Sequence, residues 1–416
     1  MSKAAQLRLS YDIPTRHEQD FVLYQLEKLY SVVNWSCKGW DTRERFNQVL
    51  YSLDRTSSPG YPYLKTSPTI GGWLFRDQLE PDPSRAELLW RMVQDVIRGS
   101  FEHYYKVFIK QEPHLMRKAL EKRWRLIIAA SLPVQVLNHM IFRDFQSKTL
   151  ETTGHHPSAY GLVYGAGGWK RFRDYLKQSK MNWCLDKSGW DVNSPGWVYD
   201  VCYELTKRLC VDYDNRLDPV LDWLKRDGYY ESRLIFSDGR VVKQNFSGFM
   251  KSGQVLTIDF NSIAQLALHV LACLRSKQPL LSIKATGDDT IQKKALNPEA
   301  YLYQLEKAGC VVKETVETYQ FMGMELTERG PHPLYLGKHL CNLLYQKEEN
   351  LMQTIDSYLL NYANISEAFE FYSRLAAILG VTHRSKEYYQ FMVNSPMALD
   401  VRWSTPGFRD PVSSLA

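Results

Sequence analysis

Three short segments hold the residues best suited to chemistry. They are Asp186-Lys187-Ser188-Gly189-Trp190-Asp191, then Lys251-Ser252-Gly253-Gln254-Val255-Leu256-Thr257 with Asn261 just beyond, then Ala285-Thr286-Gly287-Asp288-Asp289. Each has a plain reading when taken singly. Gly-Asp-Asp is common turn chemistry, Asp186 suits a helix N-cap, and Thr257 and Asn261 suit a helix start. The flanks of Asp288 and Asp289 are apolar or β-branched, however, which predicts a buried hairpin. Adjacent carboxylates there repel and cost several kcal/mol unless a cation neutralises them. If the strand ending at Asp186 lies beside that hairpin, Asp186 and Asp288 can share two Mg²⁺ ions about 3.5–4 Å apart. Magnesium is expected because the donors are hard oxygens with no His or Cys cluster among them.

Particular elements must hold these side chains. Met181–Leu185 is a short apolar run that delivers Asp186 at its tip. Pro195 opens a helix reaching about Leu209, and residues 211–245 form an insertion with a hairpin at Asp238-Gly239. Leu256–Leu274 predicts a long core helix. Leu280–Lys284 and Thr290–Lys293 are strands flanking Gly287-Asp288. Asn297-Pro298 is an N-cap with proline at the first helical position, and Gly309 is the matching C-cap. Val311–Glu314 and Phe321–Leu326 read as extended, and residues 348–395 as two or three helices. Upstream, residues 85–99 and 132–149 read as helices and Tyr104–Ile109 as a strand. Gly165-Ala166-Gly167-Gly168 lacks the spacing of a P-loop or dinucleotide fingerprint and reads as a turn near a template channel. No long linker separates the pieces, so one interwoven enzyme is expected.

Taken together and in order, the three segments resemble the palm motifs of viral RNA-dependent RNA polymerases. Asp186-x4-Asp191 resembles the first motif, Ser252-Gly253-x3-Thr257-x3-Asn261 the second, and Gly287-Asp288-Asp289 the third. Further segments resemble the same family. Lys110-Gln111-Glu112, Lys118 and Arg123-Trp124-Arg125 are similar to its basic fingers motif. Ser57-Ser58-Pro59-Gly60-Tyr61-Pro62 is similar to the template motif of picornavirus-like enzymes. Lys307-Ala308-Gly309 is similar to the fourth palm motif, and Phe321-Met322-Gly323 to the primer-grip turn. The wording of Ile109-Lys110-x-Glu112-Pro113-His114, Ser188-Gly189-Trp190-Asp191 and Met250-Lys251-Ser252-Gly253 is most like the sobemovirus and polerovirus lineage. Ile258-Asp259-Phe260 departs from it, since small hydroxyl residues usually stand there.

The resemblance implies an α+β fold shaped as a right hand, with an antiparallel palm sheet flanked by helices. Fingers would take residues 1–180 plus 211–245, the palm 181–210 and 246–326, and the thumb 327–416. It implies template-directed transfer of nucleotides from NTPs to an RNA 3′-hydroxyl. Asp186 and Asp288 would hold two Mg²⁺ ions, with Mn²⁺ as a substitute and Asp289 as a weaker ligand. Asp191 and Asn261 would meet the ribose 2′-hydroxyl, helped by Ser252 and Thr257. Gly253 would allow a strained, mobile loop. Lys110, Lys118, Arg123 and Arg125 would meet phosphates, with Glu112 orienting one of them. Ser57, Ser58, Gly60, Tyr61, Phe321 and Gly323 would line the template and primer. Lys307, or failing it Lys313, would protonate the pyrophosphate. The small thumb implies room for a primed duplex or a genome-linked protein primer. Other expected partners are template and product RNA and viral replication proteins. The implied setting is the host cytoplasm, in membrane-associated complexes reached through partners. A reverse transcriptase is disfavoured by Asp191 and Asn261, and an inactive RNA-binding scaffold by the intact catalytic set.

Composition agrees with this reading and excludes other classes. Hydrophobic residues make up 44% and charged residues 24% of 416 residues, so a disordered or collagenous chain is excluded. Net charge is +6. Lys106, Lys110, Arg117, Lys118, Lys122, Arg123 and Arg125 against Glu112 and Glu121 concentrate most of that excess between residues 103 and 125. The cysteines form no C-x-x-C pair and read as reduced buried thiols, with neither a zinc site nor a disulfide framework expected. Met1–Ser10 has no apolar leader region, and Ile263–Leu274 is interrupted by Gln265 and His269, so no intrinsic membrane anchor is expected.

Overall fold

The computed structural model describes residues 11–399. The reading of Met1–Ser10 and the tail of the 327–416 unit fall outside them. The first stretch contains α1 (Arg16–Leu29), α2 (Arg43–Ser52), α3 (Pro83–Ile97), β1 (Tyr105–Ile109), α4 (Met116–Leu120), β2 (Leu126–Ala129), α5 (Leu132–Glu151) and α6 (Gly168–Gln178). The central stretch contains β3 (Met181–Lys187), α7 (Trp190–Asn193), α8 (Trp197–Leu209), α9 (Asp218–Tyr229), β4 (Arg233–Ile235), β5 (Val241–Lys243), α10 (Thr257–Arg275), β6 (Ile283–Thr286), β7 (Asp289–Lys293), α11 (Pro298–Lys307) and β8 (Val312–Glu317). The last stretch contains β9 (Gln320–Phe321), β10 (Met324–Leu326), β11 (Pro331–Pro333), α12 (Leu336–Leu344), α13 (Glu348–Asn361), α14 (Ser366–Ile378) and α15 (Lys386–Asn394).

The central sheet runs β6-β7-β3-β8, antiparallel throughout. Alternation along β3 buries Trp183, Leu185 and Lys187 and leaves Asp186 exposed. Hairpin β6–β7 closes with Thr286 paired to Asp289, leaving the two-residue turn Gly287-Asp288. Gly287 has φ 61°, the left-handed value needed at the first central position of such a turn. Its N–H donates to Ser262 Oγ at 2.9 Å, which ties the turn to α10.

Helix α10 is buried on nearly every side, between α1, α8, α11 and β6. By length and hydropathy it could cross a membrane, but 83% of its apolar window is buried inside the protein. Helix α11 starts as its sequence dictates: Asn297 Oδ1 accepts from Ala300 N at 3.0 Å, with Pro298 in the first turn. A second sheet, β2-β1-β4-β5, carries the basic segment, and a small sheet, β11-β10-β9, leads into the C-terminal helices.

Two pieces of the expected 1–180 unit pack elsewhere. Helix α1 lies against α8 and α10, and Glu18 grips Arg275 at 2.8 and 3.1 Å. Helix α6 shares a core with the C-terminal helices, through Trp169, Phe172 and Leu176. The glycine turn before α6 docks on α15. Ala166 N donates to Met392 O and Gly167 N to Val393 O, both at 2.9 Å.

Candidate active site

Strand register assembles the carboxylates. Leu185 pairs with Thr290, so the next residues along, Asp186 and Asp289, stand opposite one another on neighbouring strands. Asp288 sits beside them at the exposed hairpin tip. On the other side of β3 the register slips between Asp186 and Lys187, and Lys313 of β8 is the residue passed over. Its ammonium reaches Asp186 Oδ2 at 2.6 Å. Asp289 Oδ2 accepts from Met322 N at 2.8 Å, joining the hairpin to the β9–β10 turn. Burial pushes the Asp289 carboxyl above its ordinary range, against the Met322 N–H and Lys187, and Asp288 and Asp186 add to the rise.

The sequence reading left one cation unused. Lys187 is buried on the Leu185 side of β3 and donates to Thr290 Oγ1. Burial lowers its pKa, while Cys310, Asp288, Asp289 and Asp186 oppose that fall. The period-two pattern of β3 was the available signal, because it sends Lys187 inward behind the carboxylates. These donors suit hard divalent cations, and the Lys313 ammonium already occupies a cation position at Asp186.

A second cluster lies beside the first. The Trp190 indole donates to Asn261 Oδ1 at 2.7 Å, so the Asn261 amide nitrogen is the end left for Asp191. The Asp191 carboxyl is pushed up to about 6, first by burial and then by Asp288. Arg125, the Asn261 hydrogen bond and Lys110 act against that shift. Asp191 therefore links the basic segment to the metal-type carboxylates.

The loop before α10 packs against β2. Gly253 N donates to Ile128 O at 3.1 Å, and a Cβ there would lie 2.8 Å from that oxygen. Glycine is needed here for close approach to β2, at a φ outside the left-handed region. Ser252 is exposed and donates to Leu126 O at 3.3 Å. Thr257 donates to Gln254 O at 2.7 Å, so its hydroxyl proton is spent closing the loop.

In the basic segment, Glu112 gathers three cations. Arg125 reaches it at 2.6 Å, Lys338 of α12 at 3.0 Å and Lys110 at 3.4 Å. These charges hold the Glu112 carboxyl below its usual range although burial opposes them. Arg123 instead pairs with exposed Glu121 at 2.9 Å, and Lys118 sits on short α4.

The remaining expected residues divide. Lys307 ends α11 with its ammonium 5.7 Å from the Tyr303 ring, and it is Lys313 that touches Asp186. A last-turn lysine suits the negative end of its own helix, which accounts for the position of Lys307. Phe321 is buried at 1% exposure against Phe172, so its ring cannot grip a primer. The turn after it, Met322-Gly323, carries positive φ at both residues and lies under Tyr335. Gly60 packs onto Ala130, where a Cβ would lie 2.3 Å from the carbonyl oxygen. Ser57 is exposed, its hydroxyl bound to Asp54 Oδ2 at 2.6 Å, and Ser58 Oγ accepts from Gly60 N at 3.2 Å. Tyr61 stands edge-on to Tyr104.

Comparison with known proteins gives a consistent picture. The family described as viral RNA-dependent RNA polymerase matches residues 14–294. An RNA-directed RNA polymerase of Mushroom bacilliform virus is 26% identical over 298 residues, covering 67% of this chain and 70% of that protein. Protein P1-P2 of Turnip yellows virus is 24% identical over 62% of this chain, and the replicase polyprotein P2AB of Southern bean mosaic virus 28% over 50%. The matches cover only 27% and 23% of those two longer proteins. Among solved structures, a Sicinivirus 3Dpol RNA-dependent RNA polymerase superposes with a TM-score of 0.73 at 15% identity, over 95% of this chain and 89% of that one.

Proposed function

The chain belongs to the viral RNA-dependent RNA polymerase family, and from that premise we propose how its residues divide the work of RNA-templated RNA synthesis. One observation carries the proposal: the β3–β7 register sets Asp186 opposite Asp289 with Asp288 at the tip, while an ammonium already rests on Asp186. Asp186 and Asp288 would hold two Mg²⁺ ions, with Asp289 as a weaker ligand or orienting partner. When bound, the ions would supply charge neutralisation for the attacking hydroxyl and the leaving pyrophosphate.

The bond formed joins the RNA 3′-oxygen to the α-phosphorus of an NTP, and the bond broken frees pyrophosphate. Arg125 and Lys110 would take up the triphosphate charge by exchanging part of their contact with Glu112. Asp191 and Asn261 would hydrogen-bond the 2′-hydroxyl, with the amide orientation fixed by Trp190. Lys313 would release Asp186 as the metal site fills and carry a proton to the pyrophosphate. RNA and NTPs are the substrates. A genome-linked protein primer, other replication proteins and membrane-associated complexes in the host cytoplasm are further proposed partners and setting.

The test is primer extension on a defined RNA template with Mg²⁺ and all four NTPs. Asp288→Asn should abolish incorporation and leave RNA affinity near that of the native chain. Unchanged incorporation would remove the proposed roles of the carboxylates.

A further inference from the structure

The linker between α1 and α2 runs beside the linker between α8 and α9. Trp35 and Cys210 form a parallel bridge, with Trp35 N donating to Leu209 O at 3.3 Å and Val211 N to Trp35 O at 3.0 Å. This pairing draws two buried thiols and one exposed carboxylate together. A sulfur of Cys37, a sulfur of Cys210 and an oxygen of Asp212 all lie within 4.8 Å of one another. Among the described residues it is the one such group of His, Cys, Asp or Glu side chains.

The surroundings orient these donors. Asp212 Oδ1 accepts from Cys37 N at 2.9 Å, and Oδ2 from Ser36 Oγ at 2.5 Å. Cys37 Sγ stands 3.3 Å from Asp212 O, and Cys210 Sγ 3.5 Å from Asp212 Oδ1. The neighbouring Asp214 is already matched by Arg216 at 2.7 Å and by the Trp40 indole at 3.2 Å. The partners that Asp212 shows are neutral, so its charge is left for a cation.

We propose that Cys37, Cys210 and Asp212 form a binding site for a thiophilic divalent cation, Zn²⁺ being the natural occupant. Two sulfurs and one carboxylate oxygen are three of the four ligands that zinc takes, and the exposed side at Asp212 leaves the fourth to water. Sulfur donors separate this site from the all-oxygen palm site by metal preference. The hydrogen bonds from Ser36 and Cys37 N act as the outer shell that fixes the carboxylate. The ion would pin the α1–α2 linker to the α8–α9 linker, a structural role apart from nucleotide transfer.

The test uses the purified full chain under reducing conditions, with excess Mg²⁺ to fill the palm. One equivalent of Zn²⁺ should survive gel filtration, and Co²⁺ in its place should give a near-ultraviolet sulfur-to-metal band. Cys37→Ser and Cys210→Ser should each remove the retained metal. Asp212→Asn should keep the band and weaken binding about tenfold or more. Polymerase activity should be unchanged in all three variants. If a variant fails to fold, the unaltered chain still decides. Zinc should slow alkylation of Cys37 and Cys210, mapped by peptide mass, and a chelator should restore the rate. Two results would overturn the proposal. One is no thiolate band and no retained zinc in the unaltered chain. The other is a mass two hydrogens lighter with a Cys37–Cys210 cross-linked peptide, which would make the pair a disulfide.

Discussion

At the scale of the residue, position separates two lysines that the sequence ranks the other way. Lys313 touches Asp186, whereas Lys307 lies in the last turn of its own helix. Lys313→Ala should slow single-turnover incorporation about a hundredfold, the usual worth of a placed proton donor. Lys307→Ala should stay near the native rate, and the opposite ranking would reassign the proton. Asp259 gives a second test. It is buried at 2% exposure, accepts from Gln146 at 2.9 Å, and its other oxygen has no hydrogen-bond partner. Burial pushes its carboxyl up to about 6. The folded chain therefore holds this proton more tightly than the unfolded chain, whose value is about 3.9. Stability from this group is whole below about pH 4 and is lost as pH rises through about 6. Asp259→Asn should remove a cost of up to about 3 kcal/mol at pH 8. It should gain much less at pH 4, which denaturant titration at the two pH values would show.

At the scale of the element, glycine serves two purposes that one substitution distinguishes. Gly253→Ala drives a Cβ into the β2 backbone and should cost about 1–3 kcal/mol. Gly287→Ala meets no atom within 4 Å and should cost only the left-handed backbone, about 1–2 kcal/mol. Thermal melts would compare them, and Gly253→Ala should also lower incorporation by shifting the loop before α10. The palm elements were legible because each is written locally. β3 shows in its apolar run, α11 in its cap and first-turn proline, and β6–β7 in its turn residues. β6 itself sits later than expected, at Ile283–Thr286, because its pairing is set by the hairpin rather than by the apolar run from Leu280. What long-range packing decides was not legible. Lys187 behind the carboxylates, α6 in the C-terminal core, the inward ring of Phe321 and the pairing of Cys37 with Cys210 all depend on partners more than a hundred residues away. The resemblance pointed to Gly253 for its loop, whereas its close approach to Ile128 and Ala129 depends on a strand that the local sequence does not place beside it.

At the scale of the whole molecule, the mild charge excess has a place and a purpose. Glu112 draws Lys110, Arg125 and Lys338 together, leaving a surplus of positive charge beside Asp191. RNA affinity should therefore fall steeply as salt rises. Lys338 comes from α12, so the same carboxylate joins the basic segment to the C-terminal region across 226 residues of sequence. Lys338→Ala should leave single-nucleotide incorporation near native and shorten products several-fold at raised salt. Product-length distributions under single-hit conditions would measure it, and unchanged lengths would sever the contact from RNA retention.

The Glu112–Lys338 contact also has a topological consequence. It draws the C-terminal helices onto the basic segment, where Gln111, Glu112 and Pro113 line one cleft with Cys341, Asn342 and Tyr345. Closure of this fastening around bound RNA would leave threading of a free end as the way in. Linear templates should then load readily. Covalently closed circles should load only as fast as the fastening opens, and faster once Lys338 is removed.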